Sequence, residues 1–299
     1  MDDKKIISAV WVGRFGNRCH SYLYGKHIEE KFGYKFYVSK EWEGSVLFKN
    51  PAPVADYNFL KYDYLYEGGH PSHSDFKLNV EKISNYNKDY NDSIEFINPD
   101  DEEDYGKPNT AFVSLVKDSE HFYKKVKLSD IKRYFEFSDE LKETELFKEL
   151  SSLKGTYDVA HFRRTDIAAS DYVGGHCMVS KKSYEDAFIK YGVDGSKIVW
   201  VSDEEKIGWN RIGWKWDKPI PSIGGKEIDW LPDFLKLVFA RKIFRANSAF
   251  SLFAAWLSDA EIFSPELHTY SPKRELYVDF VNGNHPHWHK AKPFGFYIL

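Results

Sequence analysis

Residues 231–265, LPDFLKLVFARKIFRANSAFSLFAAWLSDAEIFSP, alternate twice between a helical and a strand pattern. The pattern predicts a helix over LPDFLKLVFAR, a strand over KIFRAN, a helix over SAFSLFAAWLSD and a final strand over AEIFSP. In the second helix, apolar residues recur at i, i+3, i+4 and i+7 from Phe250, which predicts a buried face and a start near Ser248. Strands and helices at this spacing are typical of a doubly wound α/β domain.

The same alternation extends towards the amino terminus of this half. YDVAHFR (157–163) predicts a strand, SKKSYEDAFIKYG (180–192) predicts a helix with a serine cap, and SKIVWVSD (196–203) predicts another strand. Each strand precedes a helix or follows one. We therefore expect a parallel sheet with helices on both faces.

The chain begins with a second pattern of this kind. KKIISAVWV (4–12) predicts a strand, GRFGN a turn, RCHSYLYGKHIEEKFG (18–33) a helix ending at Gly33, and YKFYVS (34–39) a strand. Residues 40–110 show little periodicity and predict loops and short elements. We expect two domains, 1–152 and 153–299, with a helical stretch and the linker KGTYD near their boundary.

Bulk composition excludes several classes of protein. The chain has 299 residues, a net charge of -4 and 17% aromatic residues. This charge provides no general attraction to nucleic acid or to an anionic membrane. No signal-like start and no membrane-spanning stretch is present in the sequence, so we expect a soluble, cytoplasmic chain. Its two cysteines do not form a disulfide scaffold, and the aromatic residues suit either sugar stacking or a tyrosine-rich core.

Three polar groups follow predicted strands: HFRRTD, SDEE and ANS. In doubly wound domains the carboxyl ends of the strands share one edge, where ligands bind. Arg163 and Arg164 supply two planar, always charged donors, which suit a diphosphate. An arginine pair at a strand end is more commonly a solvated rim with local salt bridges, and the run alone favours that interpretation.

The predicted helix from Ser248 offers a second anion site, because its first-turn N–H groups point to this edge along with the Ser248 and Ser251 hydroxyls. Ser202, Asp203 and Glu204 follow the neighbouring strand and suit hydrogen bonds from a ribose or a base, or a helix cap with an acidic first turn. No P-loop and no G-x-G-x-x-G motif occurs. Together these residues predict a nucleotide diphosphate site of another kind.

Three segments resemble the α1,2-fucosyltransferase family, glycosyltransferase family 11: GRFGNRCHSYLYG (13–25), HFRRTD (161–166) and DFLKLVFARKIFRANSAFSLFAAWL (233–257). Their order and approximate spacing also agree. The family has Gly where Thr165 stands and Trp-Trp in place of Leu252-Phe253. RRTD also resembles the related α1,6-fucosyltransferases and protein O-fucosyltransferases, which leaves the linkage and the acceptor open.

The resemblance implies a GT-B-like fold, with two Rossmann-like domains facing across a cleft. Residues 1–152 would bind the acceptor, an oligosaccharide or glycoconjugate, and residues 153–299 the donor, GDP-fucose. It further implies inversion at the anomeric carbon and no metal or other cofactor. The oligomeric state stays open.

The resemblance also suggests roles for individual residues. Asp171 corresponds to the base proposed for the α1,6 relatives; Asp166 is the other candidate base, or orients the arginines. Asp233 corresponds to a guanine or ribose contact, although an acidic residue in a first helical turn also has a structural explanation. We expect Arg163 to take part in catalysis as well. The expected donor-binding residues are His161, Arg163, Arg164, Ser202, Asp203, Glu204, Asp233, Asn247, Ser248, Phe250 and Ser251.

The acceptor side is expected in the first domain. Gly13 and Gly16 would permit a tight turn from strand to helix, and Asn17 would cap the helix or bind sugar hydroxyls. Arg14 and His20 are expected near the cleft, or are surface residues without a role in binding.

Two further motifs have chemical potential. INPDDEED (97–104) has an acidic spacing that suits a metal on a nucleotide diphosphate, but we favour an acidic loop. His285, His287 and His289 would share one face of an extended segment, and we favour packing or acceptor contacts over zinc. Two other functions stay open: transfer of a different nucleotide-activated sugar, and a catalytically silent protein that binds glycans or nucleotide sugars.

Overall fold

A computed structural model describes residues 6–9, 14–33, 35–38, 42–54, 94–97, 110–113, 126–164, 178–202, 216–266 and 275–283. The chain divides into two compact units, Met1–Val126 and Lys127–Leu299. The predicted division fell after residue 152. The difference is the helical stretch between these positions, whose aromatic residues pack within the second unit: Phe135 lies 5.3 Å from Phe253, and Phe147 lies 5.2 Å from Phe239.

The first unit contains a parallel sheet of four strands in the order β2-β1-β4-β3. The strands are β1 (Ile6–Ala9), β2 (Lys35–Tyr37), β3 (Ile94–Ile97) and β4 (Thr110–Val113). Helix α1 (Phe15–Phe32) connects β1 to β2, and a short helix α2 (Gly44–Leu47) follows. Gly33 ends α1 with φ of 73°, a left-handed conformation that favours glycine. The predicted βαβ opening is therefore confirmed.

An aromatic cluster forms the core of the first unit around Trp42, which is fully buried. Its ring centroid lies 5.5 Å from that of Phe15 and 5.4 Å from that of Tyr22. Gly25, in the middle of α1, faces the buried ring of Phe36, and a Cβ at this position would collide with the ring. Close packing of helix on strand thus explains a glycine inside a helix, where glycine costs about 1 kcal/mol.

Three short helices open the second unit: α3 (Leu128–Tyr134), α4 (Asp139–Glu143) and α5 (Glu145–Ser152). The sequence indicated one helical stretch here. Ser138 and Thr144 interrupt it, because each has extended backbone and accepts a hydrogen bond from a backbone N–H three residues on.

The second unit is built on a five-stranded sheet in the order β13-β11-β10-β5-β7. These strands are β5 (Asp158–Phe162), β7 (Val199–Ser202), β10 (Lys242–Phe244), β11 (Glu261–Glu266) and β13 (Asp279–Asn282). All neighbours are parallel except β13, which runs antiparallel to β11. At the amino end of the sheet, Arg241 makes a bidentate contact with the Asp158 carboxylate, at 2.9 and 2.8 Å. The predicted α/β class is confirmed.

Two small pairings accompany the sheet. Strand β6 (Met178–Val179) pairs in parallel with β12 (Glu275–Leu276), and β8 (Ser222–Ile223) forms a hairpin with β9 (Lys226–Glu227). AEIFSP was predicted as the final strand, which was wrong, because β12 and β13 follow it. In β13 only Phe280 is buried, so this edge strand has no apolar alternation to reveal it.

Helices α6 (Lys181–Lys190), α7 (Leu231–Val238) and α8 (Ala249–Leu257) cover the sheet. The chain moves from β5 outward to β7, then returns to β10 on the opposite side of β5. Right-handed crossovers therefore place α6 on one face and α7 and α8 on the other. The direction of winding reverses between β5 and β10. None of the helices in the described part of the chain combines the length and the apolar character that crossing a membrane requires.

Candidate functional site

The carboxyl ends of β5 and β10 bring two predicted motifs together. β5 and β10 are neighbours, and their last paired residues are Ala160 and Phe244. His161–Arg164 follows Ala160 along the chain, and Arg245–Ser248 follows Phe244. In doubly wound sheets, ligands bind in the crevice where the winding reverses. The candidate site is therefore the switch point between these two strands.

An aromatic wall lies on the face of the sheet that carries α7 and α8. The buried ring of His161 has its centroid 5.7 Å from that of Phe250, in the first turn of α8. Phe250 also contacts Phe234 at 5.2 Å and Trp230 at 5.7 Å. Both His161 and Phe250 belong to the predicted donor set, and the fold brings them into contact.

Arg164 has an orientation that the sequence did not predict. Its guanidinium lies 3.5 Å from the centre of the Phe162 ring, and its Nη2 donates to the Val179 carbonyl at 2.7 Å. Nη2 also lies 3.2 Å from the carboxylate of Glu275, which is 53% exposed. Arg164 itself is buried. These contacts hold its charge inside the protein, on the side of β6 and β12.

We therefore do not expect the side chains of Arg163 and Arg164 to bind one diphosphate as a pair. Phe162 packs on Tyr184 of α6 at 5.7 Å, whereas His161 packs on α8. Successive side chains of an extended strand point to opposite faces, so a continuation of β5 beyond Phe162 would direct Arg163 to the face of His161. Arg163 is half-buried. Of the two arginines, it is the one suited to meet a ligand near α8.

The start of α8 supports an anion site in part. Ser248 is the N-cap, and its Oγ accepts a hydrogen bond from the N–H of Phe250 at 3.2 Å. The predicted helix start is confirmed. Ser251 differs from the expectation: it is fully buried, and its hydroxyl faces the carbonyl oxygens of Ala246 and Ser248 at 3.3 and 3.2 Å. The first-turn backbone is the available donor here, since a serine inside a helix commonly bonds back to its own turn. Asn247, also in the predicted set, is buried beside the cap.

A buried cation that the sequence analysis missed lies next to this turn. Arg245 is 1% exposed, and its Nη1 donates to the Oγ of Ser264 at 3.0 Å. Ser264 in turn donates to the carbonyl of Gly283 at 2.7 Å. Burial lowers the pKa of Arg245 to about 9, which leaves it charged at neutral pH. Its place in a strand-like run, IFRAN, gave no sign of burial.

Tyr184 on α6 was also missed. It is fully buried, and its hydroxyl donates to the His161 carbonyl at 2.7 Å; the Arg245 carbonyl lies 3.5 Å from the same hydroxyl. Burial raises the pKa of this phenol. In the sequence, Tyr184 lies at helical spacing from Ala187 and Phe188 and was indistinguishable from a core residue.

Two further residues of the predicted donor set, Asp233 and Ser202, lie on other elements of the second unit. Asp233 lies in the first turn of α7 and pairs with the buried Lys236 at 2.8 Å, which is the contact that a structural role would give. Ser202 is the half-buried last residue of β7. Asp166, Asp171, Asp203 and Glu204 lie outside the described residues.

In the first unit, the predicted acceptor residues cluster at the start of α1. Arg14 is the N-cap and is exposed, whereas His20 is buried. Gly16 and Asn17 lie inside the first turn of α1, not in the turn before it. The capping role predicted for Asn17 was wrong, because the helix begins earlier than its sequence pattern indicated. Gly13 lies outside the described residues.

The two motifs with metal-binding potential lie largely beyond the part of the chain that the structure describes. Residues 98–104 and His285, His287 and His289 lie outside the described residues. Within the described part of the chain, no three His, Cys, Asp or Glu side chains come together as metal ligands. Cys19 is buried, and burial raises the pKa of its thiol well above the usual value.

Comparisons with known proteins give structural likeness without sequence likeness. No protein-family model matches the chain, and no curated protein matches it. Among solved structures it is similar to the fucosyltransferase NodZ from Bradyrhizobium, with a TM-score of 0.49 and 12% identity over 93% of this chain and 99% of that one. It is similar to Arabidopsis thaliana FUT1 in complex with GDP, with a TM-score of 0.48 and 13% identity over 90% and 71% of the two chains. A third is POFUT1 in complex with GDP-fucose, with a TM-score of 0.45 and 12% identity over 86% and 95%.

Proposed function

We propose that this chain is a glycosyltransferase that transfers fucose from GDP-fucose to a hydroxyl group of a glycan. The observation that carries the proposal is the meeting of two segments at the switch point between β5 and β10. One segment carries Arg163, and the other carries the capped start of α8 at Ser248. Both segments belong to the motifs that resemble the fucosyltransferase family.

The diphosphate of the donor would lie between these two segments. Arg163 supplies a planar cation, and the first-turn N–H groups of α8 supply donors at the positive end of a helix dipole. Arg245, three residues before Ser248, adds a buried positive charge. As the bond from the anomeric carbon to the diphosphate breaks, these groups would stabilise the charge that develops on the departing GDP.

The acceptor hydroxyl must lose its proton as it attacks the anomeric carbon. We propose that the carboxylate of Asp171 accepts this proton, with Asp166 as the second candidate base. Attack from the face opposite the diphosphate would invert the anomeric centre. For the acceptor side we propose Arg14 and Asn17 at the start of α1, where Arg14 is exposed. His20, from the same predicted set, is buried.

We also propose that the transfer needs no metal, because Arg163 and the start of α8 would balance the charge on the leaving group. Its first test is calorimetric titration of the purified chain with GDP, UDP and GDP-fucose, in EDTA and again with Mn²⁺. We expect micromolar binding of GDP and GDP-fucose that EDTA does not weaken. Binding of UDP in preference to GDP, or binding only with Mn²⁺, would overturn the assignment of the donor.

A turnover assay distinguishes an enzyme from a protein that binds the same ligands without catalysis. Release of GDP from GDP-fucose, measured with a panel of oligosaccharide and glycoconjugate acceptors, tests the reaction itself. We expect Asp171→Asn to abolish release while GDP still binds. If neither Asp171→Asn nor Asp166→Asn changes a measurable rate, the assignment of the base fails. Linkage, including α1,2, would follow from analysis of the product.

A further inference from the structure

The hydroxyl of Tyr184 spans the point where β5 and β10 separate. The two strands pair as far as Ala160 and Phe244, so His161 and Arg245 are the first residues beyond the last pair. Tyr184 donates to the carbonyl of His161 at 2.7 Å, and the carbonyl of Arg245 lies 3.5 Å from its oxygen. One phenol therefore contacts both backbone segments that frame the candidate site.

We propose that Tyr184 is a positioning residue that sets the spacing between Arg163 and the start of α8. This inference rests on the proposed function, because it assumes that both segments hold one diphosphate. Arg163 is two residues beyond the His161 carbonyl, and Ser248 is three residues beyond that of Arg245. A ligand held from both sides requires both donors at a fixed distance, and displacements of about 1 Å are costly in such sites.

The packing of Tyr184 makes it a rigid support. Its ring is fully buried and lies 5.0 Å from the ring of Phe280, 5.6 Å from that of Trp200 and 5.7 Å from that of Phe162. These contacts come from three strands of the sheet. The ring cannot follow a shift of either carbonyl, so the phenol oxygen defines where the two segments lie.

A buried tyrosine commonly bonds to a carbonyl for packing reasons alone. Tyr191, just after the same helix, provides a matched control. Its hydroxyl donates to the carbonyl of Phe280 at 2.6 Å, and its ring packs on Phe263 at 4.1 Å. This bond reaches the edge strand β13, and not the switch point. Removing either hydroxyl thus removes one phenol-to-carbonyl bond, but only Tyr184 contacts the site.

The experiment compares Tyr184→Phe and Tyr191→Phe by calorimetric titration with GDP and with guanosine, and by urea unfolding. Both variants keep their ring. The Phe280 carbonyl keeps the Nζ of Lys190 as a donor at 3.1 Å, so we expect Tyr191→Phe to lose no more stability than Tyr184→Phe. Tyr184→Phe should weaken GDP binding about three- to tenfold and leave guanosine binding unchanged, since guanosine has no diphosphate to position. Tyr191→Phe should change neither affinity.

Two results would overturn the inference while the proposed function stands. One is equal GDP affinity in both variants. The other is an equal loss for GDP and guanosine in Tyr184→Phe, which would indicate general loosening. Failure of the unmodified chain to bind GDP is a different result, visible before any variant is made. It would remove the proposed function and this inference together.

Discussion

The guanidinium of Arg164 lies 3.5 Å from the centre of the Phe162 ring, two residues earlier in the chain. With its hydrogen bond to Val179, this contact directs Arg164 to the side of the sheet that carries α6. Adjacent arginines in one motif thus differ, because Arg164 is buried by these contacts and Arg163 is half-buried. Arg163 is the candidate for the ligand, and Arg164 joins the end of β5 to the β6-β12 pair.

Replacing Arg163 should weaken binding with little effect on the fold. We expect Arg163→Ala to cost at least about 2 kcal/mol in GDP affinity, about thirtyfold, because a charged hydrogen-bonding group is lost. Arg163→Lys keeps the charge without the planar fork and should lose less. Calorimetry measures the affinity, and urea unfolding checks the stability. An Arg163→Ala protein that is folded and binds GDP with unchanged affinity would contradict the site.

Replacing Arg164 should mainly affect stability. Arg164→Met keeps the apolar stem but leaves the buried Val179 carbonyl without this donor, which should cost about 2–3 kcal/mol. Glu275→Gln removes only the exposed partner and should cost less than about 1 kcal/mol. Urea unfolding of both variants measures the difference. Equal stabilities of the two variants would show that the exposed ion pair, and not the buried contacts, carries the interaction.

The glycine inside α1 provides a prediction for the first unit. On an exposed helix, alanine in place of glycine would stabilise by about 1 kcal/mol. At Gly25 the added Cβ would meet the ring of Phe36. We therefore expect Gly25→Ala to destabilise the protein, by about 1–3 kcal/mol in thermal or urea unfolding. Phe36→Leu in the same chain should recover part of the loss, and the absence of such recovery would point to another cause.

Acid should weaken one cluster at the amino end of the second sheet. Asp259 contacts Lys132 at 2.9 Å and Lys154 at 2.6 Å, and hydrogen bonds from these lysines lower its pKa from 3.8 to about 2. A carboxylate with a lowered pKa stabilises the folded state above its unfolded value, and this contribution is lost as pH falls through the folded value. The window is therefore between pH 3.8 and about 2.

The corresponding measurement compares urea unfolding of the unmodified chain and Asp259→Asn across that window. Their difference should be present above pH 4, disappear near pH 2 and shrink with added salt, since the carboxylate is largely exposed. In a Lys132→Met, Lys154→Met background, Asp259→Asn should have almost no effect. A difference that does not depend on pH would exclude the ion pairs as its source.

Much of the second unit was predictable because its helices have strong local signals. Ser180 and Ser248 cap two predicted helix starts in this unit. In the first unit, Gly33 likewise ends α1 where the pattern placed it. Apolar runs between them identified β5, β10 and β11. Local signals failed where structure depends on a distant partner, as at β13, which exists because β11 offers an edge.

The motifs of the candidate site were predictable, but the orientation of their side chains was not. Arg163 and Arg164 are chemically identical in the sequence, and only the position of the β6-β12 pair separates their roles. Ser251 bonds to its own turn, which spacing cannot reveal. Tyr184 acts through a hydroxyl whose acceptors lie on two other elements.

The position of β10 in the sheet also affects when the second unit can fold during synthesis. Asp158 and Arg241, which join β5 to the start of β10, are 83 residues apart. Pairing these strands requires closure of a long loop, which is slow compared with helix formation or local hairpins. Within the second unit, β5 and β7 are synthesised before β10. One edge of β5 can therefore pair with β7, while its other edge stays unpaired until β10 has left the ribosome. The crevice between β5 and β10 can therefore exist only late in translation. A chain that stops before β10 presents an unpaired strand edge to other chains.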